Sequence, residues 1–310
     1  MATACVAWSP GYEPHLLGLE RLHPFDLGKF GRIHRALRDE GFPAGLFVEP
    51  GEVDRADLEA VHPADFLRSL GQRRTLARAL EIPIPPFVSR AFLEAHVLAP
   101  LRRMVQGTLL GARLAAEGGL GVNLGGGFHH AHPRLAHGFC LCNDLAVAVA
   151  ALRREGMEEP VLVVDTDAHQ GDGNHAFFRE DPSVFCLSVH EEHLFPQPRV
   201  PGDRDLELPA GAGDREMLEL LELELPPLLE RLRPRVVFHV AGADVLARDP
   251  LTHLAMTPEG LARRDERVAL LAREAGAGVV HLLAGGYGPD AWRAQARAVA
   301  GLLRAWLGPP

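Results

Sequence analysis

Short apolar runs recur along this chain at intervals that leave room for a helix between most of them. They cover residues 4–8, 44–48, 120–124, 161–165, 184–189, 235–240 and 278–284. Several are apolar at successive rather than alternate positions, as in VLVV before Asp165. A strand of that composition must be covered on both faces, which parallel strands joined by crossover helices achieve. Helical patterning falls over residues 26–40, 64–70, 90–117, 144–155, 214–231, 258–275 and 289–306. The expected fold is therefore α/β, a three-layer α/β/α sandwich around a mainly parallel central sheet. Ligands in such folds sit beyond the carboxyl ends of the strands. The residues that follow each run are where chemistry is to be sought.

Composition removes several other classes. The chain has 310 residues, a formal net charge of −9, 47% apolar and 24% charged residues, which is ordinary for a globular protein. Net acidity without a basic cluster argues against nucleic-acid binding. No apolar run approaches the roughly 18 residues of a membrane span. The opening MATACVAWSP lacks a basic stretch followed by a long apolar one, so neither a signal peptide nor a membrane role is expected. Cys5, Cys140, Cys142 and Cys186 make no disulfide-like framework, which suits a reducing cytoplasm. Lys29 is the single lysine, and there are only two tyrosines, Tyr12 and Tyr287, and three asparagines, Asn123, Asn143 and Asn174. GC-rich coding accounts for that skew, yet it makes each survivor worth inspecting.

Four segments carry the chemistry. VLVVDTDAHQGDG (161–173) runs from an apolar strand into Asp165, Asp167 and His169, which extended geometry would turn to one face. Two carboxylates and an imidazole at a buried strand end need a compensating cation, and an Asp/His set suits zinc with a position left for water. Ferrous iron tolerates the same ligands. NLGGGFHHA (123–131) delivers His129 and His130 after a glycine turn, an arrangement suited to a general acid/base pair. Each would need a carboxylate on its far nitrogen to fix its tautomer. VAGAD (240–244) offers a third ligand in Asp244, and LLAGGY (282–287) ends in Tyr287. Taken alone, Asp244 reads equally as a helix cap and Tyr287 as a packed tyrosine with a bonded hydroxyl.

GGGFHHA, GFCLCND, DTDAHQGDG, AGAD and GGY, in this order, resemble the motifs of the histone deacetylase family. With GLERLHPFDLGKFGRI (18–33), the chain is most similar to class IV deacetylases and their bacterial relatives. The resemblance implies the arginase/deacetylase fold, one catalytic domain over residues 1–310, and metal-dependent removal of acetyl or longer acyl groups from lysine side chains. It implies Asp167, His169 and Asp244 as zinc ligands. It implies His129 backed by Asp165, His130 backed by Asp172, and Tyr287 on the scissile carbonyl oxygen. Gly138 and Phe139 would line the acyl-lysine tunnel, with Phe195 touching substrate from the Pro-rich loop 195–203. Potassium would be structural, at Asp165, Asp167, His169, Ser188 and Val189, and at Phe178, Asp181 and Val184. Gln170 stands where many members have a second His, and class IV relatives share it.

Other readings keep the residues and change the chemistry. A small acylated amine such as an acetylpolyamine is the alternative substrate to an acyl-lysine protein. A dimanganese ureohydrolase and a non-hydrolysing acyl-lysine binder are the others. Loops 81–89 and 191–203 would set tunnel width and rim charge. His175 and His190 are expected to be structural, and Cys140 and Cys142 packed thiols. Lys29 is either a surface residue or an ammonium near the inner end of the site that helps acetate leave. Sequence leaves the oligomeric state open.

Overall fold

In a computed structural model describing residues 3–15 and 17–308, eight strands form one sheet. The ends of the 1–310 span therefore lie outside the described residues. The strands are β1 (Ala4–Ala7), β2 (Phe47–Val48), β3 (Leu120–Asn123), β4 (Val161–Asp165), β5 (Val184–Glu191), β6 (Arg204–Leu208), β7 (Val236–Val240) and β8 (Gly278–Leu282). Their spatial order is β2-β1-β3-β8-β7-β4-β5-β6, and every pairing is parallel.

Both faces of the central strands are covered, which is why those strands are mostly apolar. Val161 and Val163 join a core with Leu109, Leu145 and Val149 from helices Ala99–Ala116 and Asp144–Arg154. Leu162 and Val164 join the opposite core, with Leu225, Val268 and Leu302 from helices Asp214–Leu232, Pro258–Glu274 and Ala291–Leu307. Burying each such side chain contributes about 1.5–3 kcal/mol.

The structure departs from the sequence reading at several boundaries. Residues 44–46 form a 3-10 turn, leaving a strand only at Phe47–Val48. The first long helix starts at Lys29, because Asp26 instead accepts the Gly28 N–H at 3.1 Å. The 90–117 helix is interrupted by a π-turn at Glu94–Leu98. Pro100 has no N–H to give the carbonyl four residues back, and the His15 N–H takes that His96 carbonyl at 3.0 Å. β6 was not expected, since RDLEL is an edge strand carrying charge, and the turns Arg55–Glu59, Arg73–Ala79 and Asp172–Phe178 are further helices. No helix among the described residues is long and apolar enough to cross a membrane.

Candidate active site

β3, β8, β7 and β4 are neighbours at the middle of the sheet, and each motif segment begins where one of them ends. The sheet order thus gathers residues that are far apart in sequence. Asp167, His169 and Asp244 form one buried group whose ligand atoms all lie within 4.8 Å of one another. His169 Nδ1 is 2.9 Å from Asp244 Oδ2 and 3.1 Å from Asp167 Oδ1.

Convergence is not produced by strand alternation as expected, because β4 stops at Asp165. Aspartate side chains bend the backbone instead by capturing N–H groups two residues on. Asp165 Oδ1 accepts from Asp167 N at 3.1 Å, and Asp167 Oδ1 from His169 N at 3.0 Å. Asp244 caps no helix; its Oδ1 accepts from Ala168 N at 3.0 Å, which ties the β7 loop to the β4 loop. Gly285 N closes the ring by donating to Asp167 Oδ2 at 3.0 Å, and a Cβ there would sit 2.5 Å from Oδ2 of both aspartates.

The electrostatics of this group fit a divalent cation. Burial and the facing Asp167 carboxylate push Asp244 up to about 7. Burial disfavours a charged His169, yet its bonds to Asp167 and Asp244 outweigh that and raise it to about 10. Two crowded carboxylates in a dry site need this much positive charge, and two charges on one ion supply it more compactly than protons do.

The tandem histidines differ sharply. His129 Nδ1–H donates to Asp165 Oδ2 at 2.8 Å, and His130 Nδ1–H to Asp172 Oδ1 at 2.7 Å. Burial opposes charge on His129, but Asp165 and Asp167 overcome it and raise its pKa to about 9. Burial, reinforced by the charge on His129, lowers His130 to about 3. One ring is thus an imidazolium and its neighbour a neutral base with a free Nε2 lone pair. Their loop is held by Asp144, which accepts from Gly127 N at 2.9 Å and Phe128 N at 2.7 Å.

Tyr287 is half-buried, with its ring 6.3 Å from His169 and 5.9 Å from both Phe25 and Phe139. Its hydroxyl makes no hydrogen bond among the described residues, contrary to the packed-tyrosine alternative. Burial and the charges of Asp167 and Asp244 hold it well above the usual tyrosine range, so it stays a donor. Asp249 fixes its backbone, accepting from Tyr287 N at 2.8 Å and Gly288 N at 3.1 Å.

His129, His130 and Tyr287 stand at the wall of an apolar cavity, with His169 packed beside them. His23, Gly138 and Phe139 line it too, together with Phe30, Val97, Leu101 and Met104. Gly138 has a φ of +54°, and a Cβ would lie 2.6 Å from the His130 ring. Phe139 adopts a φ of +66°, which costs a bulky residue about 1–2 kcal/mol, and its ring packs 4.4 Å from His23. Phe195 does not line the cavity; it is exposed, with its ring 5.0 Å from His130.

The remaining expected residues fall nearby. Ser188 Oγ lies 2.8 Å from His190 Nδ1 on β5, one residue before Val189. His175 Nδ1 lies 2.9 Å from the Val200 carbonyl. Phe178, Asp181 and Val184 share one turn, where Asp181 Oδ1 accepts from the Ser183 N–H and hydroxyl. No contact among the described residues assigns potassium to these positions. All four cysteines are free, Cys140 and Cys142 buried.

Lys29 is buried, which rules out the surface alternative. Its Nζ donates to the Ala284 carbonyl at 2.9 Å and lies 4.2 Å over the Phe25 ring. It thereby holds the AGGY backbone, close enough to Asp244 and Asp167 to feel their charge. Lys29→Met leaves the Ala284 carbonyl without that donor and is expected to cost about 1–3 kcal/mol in urea unfolding. Burial lowers this ammonium from 10.5 to about 7. The unfolded chain therefore binds the extra proton in between, so wild-type stability relative to Lys29→Met should rise with pH over that interval.

Sequence reasoning missed several supports. Arg264 is fully buried, and its Nη1 donates to the carbonyls of Thr166 at 3.0 Å and Gly242 at 2.8 Å, bracing the two aspartate loops from beneath. His132 and His137 both approach Asp172. The run HHAHPRLAH advertised those two, whereas nothing local marked Arg264 or Asp249.

Comparisons with known proteins give the chain's family and fold. The family model described as histone deacetylase domain matches residues 23–303. Histone deacetylase 2 of Arabidopsis thaliana is 33% identical over 311 residues, covering 99% of this chain and 80% of that protein. Acetoin utilization protein AcuC of Bacillus subtilis is 31% identical over 330 residues, covering 99% and 82%. Among solved structures, the HDA15 HD domain superposes with a TM-score of 0.81 at 22% identity, over 98% of this chain and 91% of that one. An HDAC homolog complexed with SAHA gives 0.79 at 23%, over 100% and 85%. At those identities the structural likeness speaks to the fold, which is the arginase/deacetylase α/β fold.

Proposed function

The chain belongs to the histone deacetylase family, and from that premise we propose that it is a zinc-dependent amidohydrolase that removes acetyl or longer acyl groups from lysine side chains. One observation carries the reading. His129 bonded to Asp165, His130 bonded to Asp172, and Tyr287 line one cavity, with the buried Asp167–His169–Asp244 group packed beside them through His169.

Asp167, His169 and Asp244 would hold a divalent cation, which when bound would polarise the scissile carbonyl and acidify an attacking water. Zinc suits the ligand set, and ferrous iron is tolerated by it. His130 Nε2 accepts the proton of that water as oxygen attacks the amide carbon. Its Nδ1–H stays on Asp172, which stabilises the imidazolium formed. His130 then returns the proton to the leaving amine as the C–N bond breaks, giving a free lysine amine and a carboxylic acid. His129 keeps its proton on Asp165 and contributes positive charge where negative charge develops. The Tyr287 hydroxyl donates to the carbonyl oxygen as it becomes an oxyanion.

The cavity favours acyl groups longer than acetyl. Its wall includes the apolar side chains Phe30, Val97, Leu101 and Met104, which suit an acyl chain. The test is a panel of acetyl- and myristoyl-lysine peptides and acetylpolyamines, assayed with chelator and with zinc or ferrous iron restored. Hydrolysis of acyl-lysine should vanish with chelator and return with either metal, with myristoyl preferred. Turnover confined to acetylpolyamines would refute the substrate assignment, and no turnover across the panel the hydrolase itself.

A further inference from the structure

The loop that delivers the tandem histidines carries two more imidazoles that amide hydrolysis leaves unused. His132 Nε2 lies 2.6 Å from Asp172 Oδ2, and His137 Nε2 lies 3.0 Å from the same oxygen. The other oxygen, Oδ1, holds His130. One carboxylate therefore meets three imidazoles, which keep it far below the usual carboxylate range despite its burial. Ligand atoms of His132, His137 and Asp172 all lie within 4.8 Å of one another.

The His137 contact is short but poorly aligned for a hydrogen bond. Its Nε2 is buried and has no hydrogen-bond partner among the described residues, although the carboxylate oxygen is at bonding distance. A ring nitrogen so placed can offer its lone pair to a cation lying between it, His132 and the carboxylate. We infer that His132, His137 and Asp172 form a second transition-metal site, distinct from the Asp167–His169–Asp244 group.

Two imidazoles and one carboxylate are a ligand set for zinc, with a fourth position for water. The nitrogen donors favour a transition ion over magnesium or calcium. The second site carries one carboxylate where the first carries two, so its attraction for a dication is weaker. The His132 and His137 side chains are each 21% exposed, so the group lies close to the surface. The site is thus filled after the first and exchanges readily.

Occupancy would also act on His130. A cation on Asp172 Oδ2 withdraws charge from the oxygen that stabilises His130 as it accepts a proton. An excess of zinc should therefore slow turnover. This consequence rests on the hydrolase reading, whereas the metal count does not.

The test is metal content by equilibrium dialysis and elemental analysis, alongside cobalt titration followed by visible absorption. The wild-type chain should bind one zinc at low free metal and two at higher metal, and cobalt should add in two spectrally distinct steps. The His132→Gln/His137→Gln variant should retain the first ion and lose the second. Asp244→Asn should weaken the first and spare the second. Between the one-ion and two-ion states wild-type turnover should fall at least several-fold, with no such fall in the double-glutamine variant. One ion per chain at every metal concentration overturns the proposal, as does a second ion that persists without both histidines. Should the double variant fail to fold, a single cobalt step in the wild-type chain still refutes it.

Discussion

Tyr287→Phe is expected to lower kcat for an acyl-lysine peptide by about 10²–10³-fold, the loss seen when one donor to a developing oxyanion is removed. Metal content and thermal stability should stay at wild-type levels. The Tyr287 hydroxyl makes no hydrogen bond among the described residues, so phenylalanine loses no structural partner. The ring contacts to Phe25, Phe139 and His169 are available to either side chain. The loop is held by Asp249 through backbone N–H groups, which the substitution leaves in place. A hydroxyl kept protonated by burial and by Asp167 and Asp244 is a donor throughout the working pH range. KM should change little, because the donor matters most when the oxygen carries charge. Near-wild-type turnover with metal bound would remove Tyr287 from the chemistry.

The central sheet was legible because both of its faces are buried. That burial favours mostly apolar strands: β4 reads VLVV before Asp165, and β7 and β8 are apolar but for His239 and His281. The same strands end at the chemical motifs, so finding the strands also located the site. β6 was not legible because an edge strand has one neighbour and tolerates the charges of Arg204, Asp205 and Glu207. The π-turn before Pro100 depends on where the His96 carbonyl finds a partner, and that partner, His15, is remote in sequence. Asp165, Asp167 and His169 do lie close together, but not along the straight strand the sequence suggests. Side-chain capture of successive N–H groups brings them together instead.

The scarce residues support the site more than they act in it. Tyr12 donates to Asn123 Oδ1 at 3.0 Å, and Asn123 Nδ2 donates to Thr108 Oγ1 at 2.8 Å. Thr108 in turn donates to Asp144, the carboxylate that grips the glycine loop. Asn143 Nδ2 donates to Asn174 Oδ1 at 2.8 Å, and Asn174 N to the His129 carbonyl at 3.1 Å. Lys29 holds the Ala284 carbonyl. Each occupies a buried place where its donor or acceptor pattern is used, and losing it would strand a partner at about 1–3 kcal/mol. Composition alone could flag such residues but not assign them, because every partner lies on another segment.

His130→Ala is the substitution expected to cost most, about 10²–10⁴-fold in kcat/KM, the range for removing a positioned general base. The same ring serves as base toward water and acid toward the amine, so both halves of the reaction slow. His129→Ala should cost less, because its contribution is charge rather than proton transfer. The pH profile separates the two. His130 is held at about 3, so its base form persists far below neutrality and sets no limb there. His129 is raised to about 9, and losing its proton removes the positive charge beside the carbonyl. Turnover should therefore fall as pH rises through that region, and earlier with the metal bound, since a dication nearby disfavours the imidazolium. Asp165→Asn removes the carboxylate that raises His129 and should move this limb to lower pH, whereas Asp172→Asn should reduce the plateau. A rate that keeps climbing through pH 9 in the wild type would reverse the two histidines' roles.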